Sequence, residues 1–112
     1  MSRASSPVTF GKRIAEARKS AGLSLKELAQ RIKKEDGQAI SPQYLNDIEH
    51  DRRQPDSTHL IEQFASELKI PAELLYFDAG RLSEDARRKP ADEKRIVAAY
   101  KAFRKALGGD RP

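Results

Sequence analysis

The side chains best equipped for chemistry in this chain are amides and guanidiniums, not nucleophiles. Between Ser41 and Gln54 the sequence reads SPQYLNDIEHDRRQ, with Gln43, Asn46 and Asp47 close together and Arg52, Arg53 and Gln54 behind them. Asn and Gln carry a donor and an acceptor side by side, the geometry that pairs with an adenine edge in a major groove. Ser41 before Pro42 is a helix-start signal, because the serine oxygen can accept an orphan amide and proline lacks the N–H that would have no partner there. A short helix is therefore expected. Only Leu45 and Ile48 in it are aliphatic, so a narrow seam faces inward while Pro42, Gln43, Tyr44, Asn46, Asp47 and His50 face outward. Entering a groove by its N-terminal end, it would aim Gln43 and Asn46 or Asp47 at bases. The same residues also describe a solvated surface helix, so the rest of the chain must decide.

Other chemistries have little footing. The two imidazoles, His50 and His59, stand nine residues apart in a chain without cysteine, which is no zinc-ligand spacing. The six glycines are expected at turns and helix ends and form no phosphate-cradling loop. Acidic side chains lie mainly opposite Lys and Arg on helix surfaces, as solvation and i,i+4 pairing would place them. An enzyme is thus disfavoured, and no cofactor, metal or membrane partner is expected. The lack of cysteine fits a reducing cytosol, and no apolar run approaches the length of a membrane span or a signal-peptide core, so a cytoplasmic location is expected.

The elements that must position the candidate helix follow in order. Residues 1–8 read as a flexible polar arm. Phe10, Ile14, Ala17 and Ala21 recur at the helical period with Gly22 as a stop, leaving Lys12, Arg13, Glu16 and Lys19 on the outer face. Ser24 with Glu27 forms a capping box for a second helix, whose stripe is Leu25, Leu28, Ala29 and Ile32. Residues 33–39 are polar, with Asp36-Gly37 as a turn. After the candidate helix, Asp56 is expected to cap a fourth helix carrying Leu60, Ile61, Phe64, Ala65 and Leu68. Pro71 opens a fifth with Leu74, Leu75 and Phe77 apolar, closed by Gly80. One all-α domain over residues 9–80 is the result.

Residues 81–112 differ in character. The stretch ending in Arg87-Arg88-Lys89-Pro90 reads as a linker or a frayed helix. From Asp92 to Leu107 an amphipathic helix places Ile96, Val97, Tyr100, Phe103 and Leu107 on one stripe. That stripe must be covered, either by folding back on its own domain or by pairing with a second copy. The net charge of +5 is unevenly spread: +4 over residues 1–22, −2 over 41–58, −3 over 59–80 and +5 over 81–112. The candidate reading helix is locally acidic, which shifts phosphate binding to flanking Lys and Arg.

Taken together, the segments FGKRIAEAR, LSLKELA, ISPQYLNDIE, DRRQP and LKIPAELL resemble the Cro and lambda-repressor helix-turn-helix family, also called the XRE family of transcriptional regulators. The resemblance covers roughly residues 10–77. It implies a five-helix DNA-binding domain with an additional C-terminal helix, and a sequence-specific regulator, a repressor, that binds an inverted repeat of double-stranded DNA as a homodimer. It implies base contacts from Pro42, Gln43, Asn46 and Asp47, with Ser41 and Tyr44 at the backbone or a thymine methyl, and phosphate contacts from Arg52, Arg53 and Gln54. A helix-one arginine in the family pairs with the glutamate ending the reading helix, here Arg18 and Glu49. If that pair is buried, removing one partner would cost on the order of 3–5 kcal/mol.

Three departures stand out. Leu25 replaces a helix-two glutamine that bonds phosphate, a contact Lys26 would take over. The turn between helices two and three is longer by about six residues, KKEDGQ, which leaves the angle between those helices open; Lys33 or Lys34 there would add a phosphate contact or the loop would clash. Asp51 stands where glycine is usual and tolerates a left-handed backbone less well. The rival class is an antitoxin-type interaction module, whose basic C-terminal segment binds a toxin or other protein partner.

Overall fold

The computed structural model describes residues 8–108, so the expected arm at 1–8 lies outside it apart from Val8. Seven helices follow in order: α1 Phe10–Ser20, α2 Leu25–Arg31, α3 Pro42–Glu49, α4 Thr58–Leu68, α5 Ala72–Ala79, α6 Glu84–Arg87 and α7 Glu93–Ala106. Among the described residues there is no strand, and the fold is all-α. No helix among them is long and apolar enough to cross a membrane.

Local chemistry sets most boundaries. Thr9 caps α1 by accepting from the Lys12 amide. The Ser24–Glu27 capping box closes reciprocally at 2.8 and 3.0 Å and holds the Glu27 carboxyl below the usual glutamate range. At α4 the cap is Ser57, one residue beyond the expected Asp56, because the Ser57 hydroxyl reaches the Leu60 amide. The stretch expected to be a linker or frayed helix makes a single helical turn, α6.

The core is built from Phe10 and Ile14 of α1, Leu28 and Ala29 of α2, Leu45 and Ile48 of α3, Leu60, Ile61, Phe64 and Ala65 of α4, and Leu75 and Tyr76 of α5. Helix α1 packs on α3, α4 and α5, with α2 on α3 and α4 on α5. Phe10 meets Phe64 edge to face at 5.8 Å. Ala21, expected in the first stripe, is exposed just beyond the end of α1. In α5 the buried pair is Leu75 and Tyr76, while Phe77, expected to be apolar core, is 55% exposed. The Tyr76 hydroxyl donates to Glu62 (2.6 Å), which gives a buried phenol the partner it needs. Arg13, read as an outer-face residue, pairs with Asp78, tying α1 to α5.

Helix α7 carries no buried residue. Ile96, Val97, Tyr100, Phe103 and Leu107 are all 45–61% exposed, so the helix does not bury its stripe in the domain; Phe103 approaches α5 through Phe77 at 6.1 Å.

Candidate nucleic-acid interface

Helix α3 is held from beneath and behind. Leu45 is fully buried and Ile48 nearly so, so the two-residue seam is the helix's underside. Glu49, the buried charged residue of the core, accepts from Arg18 Nε and Nη2 at 2.7 and 3.0 Å, a bidentate pair that joins α3 to α1. Arg18 Nη1 also donates to the Leu23 carbonyl, and the hydrogen-bonded Glu49 raises the guanidinium's pKa. In front, the Ser41 hydroxyl accepts the Tyr44 amide at 3.0 Å with Pro42 in the first turn, and Pro42 and Gln43 are exposed.

Asp47 is the hub of the exposed surface. Its carboxylate accepts from Gln43 Nε2 (3.0 Å) and from Arg52 Nε (3.2 Å) and Nη2 (3.1 Å). A carboxylate only accepts, so the Gln43 amide is oriented without ambiguity: nitrogen toward Asp47, oxygen and the second N–H left for a ligand. Asn46 is half-buried on the same helix. His50 closes α3 by donating from Nδ1 to the Asn46 carbonyl (2.9 Å).

Tyr44, expected to face outward, is half-buried against the core. Its hydroxyl accepts the Asp56 amide at 3.1 Å and the Arg53 guanidinium lies over its ring at 4.9 Å, so it braces the turn that follows α3. Burial pushes the phenol up from its ordinary value, against the pull of the Asp56 amide. Arg52 and Arg53 remain about half exposed on that turn, Gln54 is exposed, and Pro55 beneath them is buried. Lys26 is exposed in the first turn of α2.

Two contacts escaped the sequence reading. Asp51 adopts the left-handed backbone (φ 60°) and spends its carboxylate on the Thr9 hydroxyl (2.8 Å) and the Gly11 amide (3.2 Å). Gly11 itself lies buried against the end of α3, where a Cβ would collide with the Ile48 carbonyl. A glycine inside a helical pattern was the available signal. The enlarged turn between α2 and α3 is a pinched hairpin: Lys33 bridges to Ala39, and Ile40 N–H donates to the Ile32 carbonyl at 3.0 Å. The six extra residues bulge outward while Ile32 and Ile40 enter the core at its base, so α2 still packs directly on α3.

A helix-turn-helix family model matches residues 14–73, more than half of the chain and including α2 and α3. The chain belongs to the helix-turn-helix family. It is of the XRE, Cro and lambda-repressor-like type, and that family and fold are those of DNA-binding transcriptional regulators. No curated protein matches this helix-turn-helix chain. Among solved structures it is similar to SinR, described as the master regulator for biofilm formation, in complex with DNA: 28% identity, 60% of this chain and 97% of that one, TM-score 0.50. It is also similar to a SinR protein/SinI protein complex, at 26% identity over 88% of this chain and 99% of that one, TM-score 0.51. In this helix-turn-helix protein α2 and α3 are the paired helices, and the Gln43–Asp47–Arg52 cluster lies on the exposed side of the second.

Proposed function

We propose that this protein is a sequence-specific transcriptional regulator of the cytoplasm, a repressor that binds an inverted repeat in double-stranded DNA as a homodimer. Residues 9–80 form the DNA-binding domain, and residues 81–112 the linker and dimerisation helix. Helix α3 enters the major groove by its N-terminal end. The observation that carries this reading is the pairing of a buried underside, Leu45 and Ile48, with an exposed Gln43 whose amide is fixed by Asp47. With its nitrogen tied on one side, that amide still offers an acceptor and a donor, the complement of adenine N6 and N7.

The other roles follow from placement. Pro42 and Asn46 lie beside Gln43 and contact neighbouring base edges, and Tyr44 presents its outer edge to the groove wall. Asp47 orients Gln43 and disfavours sites that would bring a phosphate against its charge. Ser41, Lys26, Arg52, Arg53 and Gln54 surround the helix and meet phosphates. That SinR is seen with DNA supports the same use of the fold here.

In-vitro selection from random duplexes tests the reading. A palindromic consensus with half-site centres about one helical turn, roughly 34 Å, apart is expected. Selection that enriches no sequence would overturn it.

One observation favours a second reading, an antitoxin-type module whose C-terminal segment binds a protein. The apolar stripe of α7 is 45–61% exposed, and SinR is seen with a protein partner, SinI. Light scattering after size exclusion separates the two. A dimer that dissociates on deletion of residues 91–112 supports homodimerisation through Ile96, Val97, Tyr100, Phe103 and Leu107, whereas a monomer supports a different partner.

A further inference from the structure

The hairpin between α2 and α3 is more ordered than a spacer requires. Its Lys34 N–H donates to the Gln38 carbonyl (2.8 Å), its Gly37 N–H to the Lys34 carbonyl (2.8 Å), and Asp36 Oδ1 takes the Gln38 amide (2.9 Å). Helix α4 then clamps it from outside: Gln63 Oε1 accepts the Lys33 amide (2.9 Å) and His59 Nε2 donates to the Lys33 carbonyl (3.0 Å). Seven residues thus have their backbone fixed at both the base and the tip. Every side chain from Lys33 to Gln38 is nevertheless exposed.

Those side chains are not equivalent. Lys33 Nζ is already used, donating to the Gln30 carbonyl at the end of α2 (2.7 Å). Asp36 is used within the turn. Lys34 and Gln38 stand opposite one another, one step inside the Lys33–Ala39 bridge, so their side chains share a face of the hairpin. Lys34 has no ion-pair partner among the described residues, although Glu35 follows it in sequence. That face offers one ammonium and one amide donor on a fixed backbone. From Gln38 to Gln43 is five residues, at most about 18 Å of extended chain, comparable to the roughly 12 Å width of a major groove plus its phosphate wall.

We propose that Lys34 and Gln38 form a phosphate clamp, a small wing that grips the DNA backbone at the edge of the groove that α3 occupies. The clamp rests on the reading of α3 as a groove-binding helix. It adds affinity and register without sequence information, and it offsets the acidity of the segment that follows.

The test is a salt titration of the full chain on its selected duplex and on a random duplex, with Lys34→Gln, Lys34→Arg and Gln38→Ala compared with wild type. Lys34→Gln is expected to lower the slope of log K against log salt by about 0.9 and to weaken both duplexes roughly fivefold near 0.15 M salt. Lys34→Arg should keep the wild-type slope. Gln38→Ala, which removes no charge, should weaken both duplexes about threefold at unchanged slope. Both positions lie on the surface, and far-UV circular dichroism checks that the three variants remain folded. A Lys34→Gln protein with the wild-type slope and affinity overturns the clamp while leaving the α3 reading intact; a wild-type chain that binds neither duplex overturns both.

Discussion

The Asp51 carboxylate accepts twice, from the Gly11 amide at 3.2 Å and the Thr9 hydroxyl at 2.8 Å, on a backbone held at φ 60°. The turn leaving α3 is thereby fastened to the first turn of α1. Glycine would accept the left-handed conformation more readily, but it could make neither bond. At this position a less comfortable backbone is offset by two tertiary hydrogen bonds.

That relationship predicts an order of stability. Asp51→Asn keeps an acceptor and tolerates the left-handed region, so it should cost least. Asp51→Gly should cost roughly 1 kcal/mol and Asp51→Ala about 2–3, since alanine loses the bonds and keeps the strain. Gly11→Ala should cost about 3 kcal/mol, because its Cβ would collide with the Ile48 carbonyl and stand 2.7 Å from Asp51 Oδ1 and 2.8 Å from the Glu49 carbonyl. Urea unfolding measures all four; an Asp51→Gly protein as stable as wild type would refute the bonding role, and an Asp51→Ala protein as stable as Asp51→Gly would refute the strain.

Arg18 and Glu49 form a pair with side chains only 13% and 4% exposed. Arg18→Ala should cost about 3–5 kcal/mol by stranding the Glu49 charge, and the double variant Arg18→Met with Glu49→Leu should be more stable than Arg18→Ala. Thermal melts of both decide it. Equal losses in the two would mean that the guanidinium's packing, not the stranded charge, carries the effect.

Base and backbone roles on the front surface separate by specificity. Gln43→Ala should lose about 1–3 kcal/mol on the cognate duplex and flatten discrimination at one base pair. Asp47→Ala, which releases the Gln43 amide and Arg52 together, should relax the same base pair. Arg53→Ala should weaken all duplexes alike and lower the salt slope by about one. Competition binding on a panel of single-base variants shows which pattern holds.

Burial first, and Glu62 second, push the Tyr76 phenol above its ordinary value near 10. A raised folded pKa contributes stability that is fully present below about pH 10 and is lost as pH rises through the folded value. Wild-type stability should therefore fall more steeply above about pH 10 than that of Tyr76→Phe. Parallel melts between about pH 8 and 11 test this, and curves of identical slope would contradict it.

Much of this molecule is set locally. The capping box at Ser24 and Glu27, the Ser41-Pro42 start and the Leu45–Ile48 seam depend on partners within a few residues, so pattern and propensity suffice to place α2 and α3. Arg18 and Glu49 were reached differently, through the family resemblance, because nothing in their spacing of 31 residues marks them as a pair. What the tertiary structure alone decided includes Gly11 beneath Asp51, Arg13 on Asp78, and α4 clamping the hairpin at Lys33, contacts 30 to 65 residues apart. Each needs segments from different parts of the chain brought together before its atoms can meet. A hydrogen bond between segments 30 to 65 residues apart leaves no periodic trace in either.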